Sequence, residues 1–142
     1  ITTDHNGTPV LWTLSEPFGA RDWWPCKQDL NDKVNAIDVY ITAPSQYNSV
    51  SNGLQQFKTD NGDGTSTTHF HHGYAIPAYL VAIAVTDYQI YNQQGGLGTT
   101  ASPFFPIVNY MFPETAPENT ASVSVTPDII NFYEKKNLPY HQ

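Results

Sequence analysis

Only one cysteine, Cys26, occurs in the 142 residues, which excludes an intrachain disulfide framework. Positive charge is scarce as well: six Lys and Arg stand against 13 Asp and Glu, the formal net charge is −7, and the longest basic run is Lys135–Lys136. A nucleic-acid backbone or an anionic membrane surface calls for clustered cations, so neither partner is expected. No apolar run approaches the roughly 18 residues of a spanning helix, so neither a membrane segment nor a secretory leader is expected in these residues. An initiator Met is missing, and the chain runs out at Leu138-Pro-Tyr-His-Gln142; both ends are expected to be cuts within a longer protein. What the sequence does have is nine Tyr, 11 Pro and 9 Gly among many Asn, Thr and Ser. At this length, with 39% hydrophobic residues, that composition predicts one turn-rich, all-β domain with a modest core, of the kind common in extracellular or periplasmic proteins.

A period of two dominates the chain. Ile37, Val39 and Ile41 share one face of an extended segment, with Asp38 and Thr42 on the other. A run from about Ser49 to Thr59 leads through the turn-forming Asp60-Asn-Gly-Asp-Gly64 into Thr65–His71, which predicts a hairpin. Tyr79–Val85 is apolar on both faces and is expected to be a central, doubly covered strand. The stretch up to Thr8 reads as a loop, Gln93–Gly98 as a flexible connection, and Ile107–Phe112 and Ala121–Val125 as short strands near prolines. Thr126-Pro127-Asp128, with Ile129, Ile130, Phe132 and Tyr133 on one face and Lys135 and Lys136 at the end, predicts the single helix, near residues 127–137. The expected class is therefore all-β, of mostly antiparallel sheets with one short C-terminal helix.

Few residues carry chemistry. His69 and His71 project from one face of their strand, close to His72, and could share a metal ion, but no third ligand stands nearby in sequence; a solvated strand face is the preferred reading. Asp60–Gly64 resembles the start of a calcium loop, yet the twelfth position is His71 rather than Glu, so a hairpin turn explains it better. Cys26 lacks a His or Asn partner arrangement and is read as a packed thiol. The informative segment is Trp12–Leu30. Its Arg21 could pair with an acid, and Trp23-Trp24-Pro25 needs another surface to cover it.

This segment resembles the signature stretch of the aminopeptidase N family of zinc metallopeptidases, whose N-terminal β-domain is similar to that of leukotriene hydrolase. Thr13, Glu16, Pro17, Ala20, Arg21, Pro25 and Cys26 fall in register with the family's Thr-Gln-x-Glu/Gln-Pro/Ala…Ala-Arg…Phe-Pro-Cys pattern without a gap. The resemblance continues through the strand Val34–Thr42, through Val50-Ser-Asn-Gly53 and through Pro77-Ala-Tyr-Leu-Val-Ala-Ile83, and covers about residues 10–133. Leu14, the Trp pair and Lys27-Gln-Asp-Leu30 depart from the pattern and point to a divergent bacterial branch.

The resemblance implies a parent enzyme that removes N-terminal residues from peptides with a zinc-activated water. Residues 1–125 would be the later part of its N-terminal β-domain, and 126–142 the start of the segment leading to a catalytic domain that lies downstream. Zinc would sit there, because no His here is followed by Glu, and the family's Gly-x-Met-Glu-Asn strand is absent: the only Met, Met111, precedes Phe112. No catalytic residue, no metal ligand and no cofactor are therefore expected in this chain, whose partners would be the catalytic domain and, in the parent, the peptide substrate. Glu16 alone carries over as a substrate-binding residue. The family places Glu or Gln there, lining the first specificity pocket and holding the substrate's free amine, and a carboxylate suits a cationic ammonium in a partly desolvated cleft. Two competing readings differ in class: a stand-alone β-sandwich module that stacks carbohydrate on Trp12, Trp23 and Trp24, and a metal-sensing domain built on His69, His71 and His72.

Overall fold

The computed structural model describes residues 2–136, which divide after Asp87 into two compact units. The first holds nine strands: β1 (Thr2–His5), β2 (Thr8–Trp12), β3 (Lys33–Val34), β4 (Ile37–Pro44), β5 (Asn48–Ser51), β6 (Leu54–Asp60), β7 (Thr65–His72), β8 (Ile76–Pro77) and β9 (Ile83–Thr86). The second holds β10 (Gln89–Gly95), β11 (Phe105–Met111), α1 (Ala116–Val123) and α2 (Thr126–Lys135). All pairings are antiparallel, in sheets ordered β1-β2-β9-β5, β4-β7-β6, β3-β8 and β10-β11. The all-β, mostly antiparallel class holds, with helix confined to the C-terminal end.

Several boundaries differ from expectation. The start of the chain is a hairpin rather than a loop: Asn6 and Gly7 both take positive φ (50° and 83°), the conformation of a two-residue type I′ turn, and the Gly7 N–H donates to Asp4 Oδ1 at 2.9 Å. The run from Ser49 to Thr59 is two strands in different sheets, because the chain crosses between them at Asn52-Gly53. Gly53 has φ 87° and passes so close to β7 that a Cβ would lie 2.1 Å from the His71 carbonyl oxygen, so only glycine fits. Beside it, the Asn52 side chain donates to Leu80 O (3.0 Å) and accepts from Ala82 N–H (2.7 Å).

The expected strand Tyr79–Val85 is shortened by a 3₁₀ turn over Ala78–Leu80, but β9 is central, between β2 and β5. Residues 93–95, expected to be a flexible connection, continue β10. Ala121–Val125 is helical rather than extended. Five residues of Ser–Val alternation are too few to fix a period, while Pro117 starts α1 and the Thr120 hydroxyl donates to Ala116 O at 2.7 Å. α2 begins at Thr126, one residue before the expected start, and Thr126 makes no side-chain cap, because Ser124 and Val125 are already in helical backbone. Position 137 lies outside the described residues.

Two sheets of the first unit meet at a small core of Ile41, Ala43 and Val85, with Val39, Tyr47 and Ile83 packed around it. Period-two burial along β4 and β7 turns Ile41, Ala43, Ser66, Thr68 and Phe70 inward. Thr68 Oγ1 is buried there without a hydrogen-bond partner among the described residues.

Candidate functional site

The Trp12–Leu30 segment is ordered by single contacts rather than by a ladder. The Thr13 N–H donates to Ile83 O (3.1 Å), and its hydroxyl accepts from Ile83 N–H (3.0 Å), which ties the loop to β9. Two residues on, buried Ser15 accepts the Trp23 indole N–H at 2.8 Å, and its carbonyl accepts the Gly19 N–H at the same distance. Ala20, at 2% exposure, opens a 3₁₀ turn to Asp22. With Ser15 and Ala20 held inward, Leu14, Glu16 and Phe18 are left outside, Leu14 and Phe18 at 63% and 58% exposure. The Glu16–Pro17 peptide bond is cis.

Among the described residues, Arg21 does not pair with an acid. Its guanidinium donates to Gln28 Oε1 at 3.4 Å, and the Gln28 amide bonds in turn to Phe18 O. The ion pair in this segment is Lys27–Asp32 at 2.6 Å, fully on the surface, where hydrogen bonding to Asp32 raises the lysine pKa. Trp12, Trp23 and Trp24 are all half-buried and offer no flat exposed platform, so nothing supports the carbohydrate module. The Trp24 indole N–H is buried with no acceptor among the described residues. Cys26 is a free, partly buried thiol.

The histidines are brought together by a residue that sequence reading passed over. Register sets Asp38 opposite His71 and Tyr40 opposite His69, so Asp38 Oδ1 lies 2.8 Å from His69 Nε2 and 2.9 Å from His71 Nδ1. A carboxylate only accepts, so both rings donate to it. The bond from His69, then that from His71, holds the Asp38 carboxyl below its ordinary value. His69 also stacks on Tyr40, with ring centres 4.2 Å apart and planes 2° from parallel, and meets Phe57 at 5.1 Å. One nitrogen of each ring is thus engaged by the same carboxylate oxygen. Among the described residues, no three His, Cys, Asp or Glu side chains form a group able to hold a metal ion, so zinc has no fitting donor set here. The Asp60–Gly64 turn is equally self-contained. Asp60 Oδ1 accepts from Gly62 N–H, while Asp63 Oδ1 accepts from the N–H and hydroxyl of Thr65, which lowers the Asp63 pKa.

Fold and loop define a class: antiparallel β-sheets that present an ordered loop. Residues 2–80, more than half of the chain, match the Peptidase M1 N-terminal domain, and the chain belongs to that family. Among curated proteins it is 35% identical over 82 residues to a leucine aminopeptidase 2 of Vanderwaltozyma polyspora and 32% identical over 88 residues to one of Aspergillus clavatus. The matches cover 58% and 60% of this chain but only 12% and 14% of those relatives. Among solved structures, an M1 zinc metallopeptidase of Deinococcus radiodurans aligns with 92% of this chain and 30% of its own, at a TM-score of 0.68 and 20% identity. A two-domain M1 zinc metallopeptidase bound to L-tryptophan aligns with 75% of this chain and 24% of its own, at 0.61 and 23%. These two share the fold.

Proposed function

We propose that this chain is the non-catalytic, substrate-facing part of a zinc metallo-aminopeptidase that removes N-terminal residues from peptides. In this reading it packs on the parent's catalytic domain, residues from Thr126 onward lead towards that domain, and zinc is held there. The carrying observation is the family match through the Thr13–Cys26 loop, whose ordered backbone leaves Glu16 exposed between Leu14 and Phe18. Glu16 then lines the first specificity pocket and anchors the substrate's ammonium group, because a cation leaving water needs a paired anion. The exposed apolar flanks, Leu14 and Phe18, are what a covering domain would bury.

The test is made in the longer enzyme. Glu16→Ala should lower kcat/KM by about 30- to 150-fold with folding unchanged, and Glu16→Gln, which keeps an acceptor oxygen, should lose less. A value for Glu16→Ala within about twofold of wild type would show that Glu16 is only a loop acid.

A further inference from the structure

In the first unit, Ile41, Ala43 and Val85 form a buried cluster where two sheets meet, and beside it opens a groove of about 540 Å³ with walls that include Leu11, Val39, Ile41, Tyr47, Ile83 and Val85. Packed interiors hold few voids larger than a water molecule, and a space of this size takes several side chains. One strand borders it in an unusual way: all six consecutive residues Val39–Pro44 of β4 line it. Neighbouring residues of a strand point to opposite faces, so an unbroken run of six means that the groove follows the strand's edge. β4 is the outermost strand of β4-β7-β6, and β1, which contributes Thr2 to the far wall, is outermost in β1-β2-β9-β5.

We propose that this groove seats a β-strand supplied by polypeptide outside residues 1–142, paired through its backbone with the edge of β4 and turning apolar side chains onto Ile41, Ile83 and Val85. An edge strand offers a row of unpaired N–H and C=O groups, and an adjoining apolar trough selects a segment with apolar residues at every second position. Polypeptide for this role is plentiful, because the chain spans 12% and 14% of the two leucine aminopeptidase relatives. The inference rests on the longer parent of the proposed function but does not depend on the parent's chemistry.

Thiol labelling tests it. Leu11→Cys places a probe on the groove wall, and Gln56→Cys on exposed β6 is the control; alkylation rates are read by peptide mapping, which separates both from Cys26. In the 142-residue chain both introduced thiols should react readily. In the longer protein the probe at position 11 should react about 100-fold more slowly or less, with position 56 unchanged. Equal reactivity of position 11 in the two proteins overturns the proposal. Protection already present in the 142-residue chain and rising with its concentration assigns the groove to a second copy and also overturns it. So does protection in the longer protein that disappears when a co-purified apolar molecule, seen by native mass spectrometry, is stripped away. Circular dichroism checks folding, and Ile83→Cys serves if Leu11→Cys does not fold. An active aminopeptidase with a reactive position 11 defeats the groove proposal alone, and an inactive protein with a protected position 11 defeats the functional reading alone.

Discussion

The sheet β4-β7-β6 and the loop from Thr13 to Asp32 hold their shapes by opposite means. In the sheet, eight consecutive pairs from Ile37–His72 to Pro44–Thr65 share the load, and side chains need only alternate between an inner and an outer face. In the loop, Thr13, Ser15 and Ala20 each hold one point, and a 3₁₀ turn is the only regular element. A sheet of this kind tolerates many sequences. A loop held at points does not, and this is why a recognisable residue pattern collects in the irregular segment while the strands are legible only as periodicity.

The sharpest way to break this contrast is at Phe70, 2% exposed on the inner face of β7. Phe70→Ala should cost about 3–5 kcal/mol in chemical denaturation, and a loss under about 1 kcal/mol would mean that the sheet is not where stability resides. Ser15→Ala removes the acceptor of the Trp23 indole and should cost about 1–2 kcal/mol, with Trp fluorescence changing before the sheet unfolds. If fluorescence and circular dichroism report one shared transition, the loop is part of the sheet's cooperative unit. Thr68→Val has the opposite sign: it removes a buried, unpartnered hydroxyl at nearly constant shape and should raise stability by about 1 kcal/mol. The smallest effect is on the outer face. Because hydrogen bonds from His69 and His71 lower the Asp38 pKa from 3.8, its contribution is present above that value and is lost as pH falls through the lowered one. Asp38→Asn should flatten the acid limb of a stability–pH curve below about pH 4.

The same contrast explains what could be read from sequence. The period of two placed β4, and the dense turn placed β7 as the return leg of a hairpin, because both signals are local. Asp38 was seen only as a polar residue on an outer face. Its bonds to two histidines more than 30 residues away depend on antiparallel register, which no local pattern encodes. Residues Thr126–Lys135 were legible as a helix from Pro127, Asp128 and Lys135, yet the face expected to be buried is open, with Ile129, Phe132 and Tyr133 near half exposure. An amphipathic pattern states which side seeks cover, not whether this stretch of chain supplies it. Glu16 stood out by resemblance alone; its exposure follows from the inward pinning of Ser15 and Ala20, contacts that needed the fold.

The crossing at Asn52-Gly53 also imposes an order of events. The Asn52 amide closes on Leu80 and Ala82 around an intervening stretch of nearly thirty residues, and that stretch contains the whole β6–β7 hairpin. A closure so distant in sequence carries an entropic cost that a hairpin across a four-residue turn does not, and forming the hairpin first shortens the loop that remains to be closed. Amides in β6 and β7 are therefore expected to gain protection from solvent exchange early in refolding. Those joining β5 to β9 follow once Asn52 has found its place.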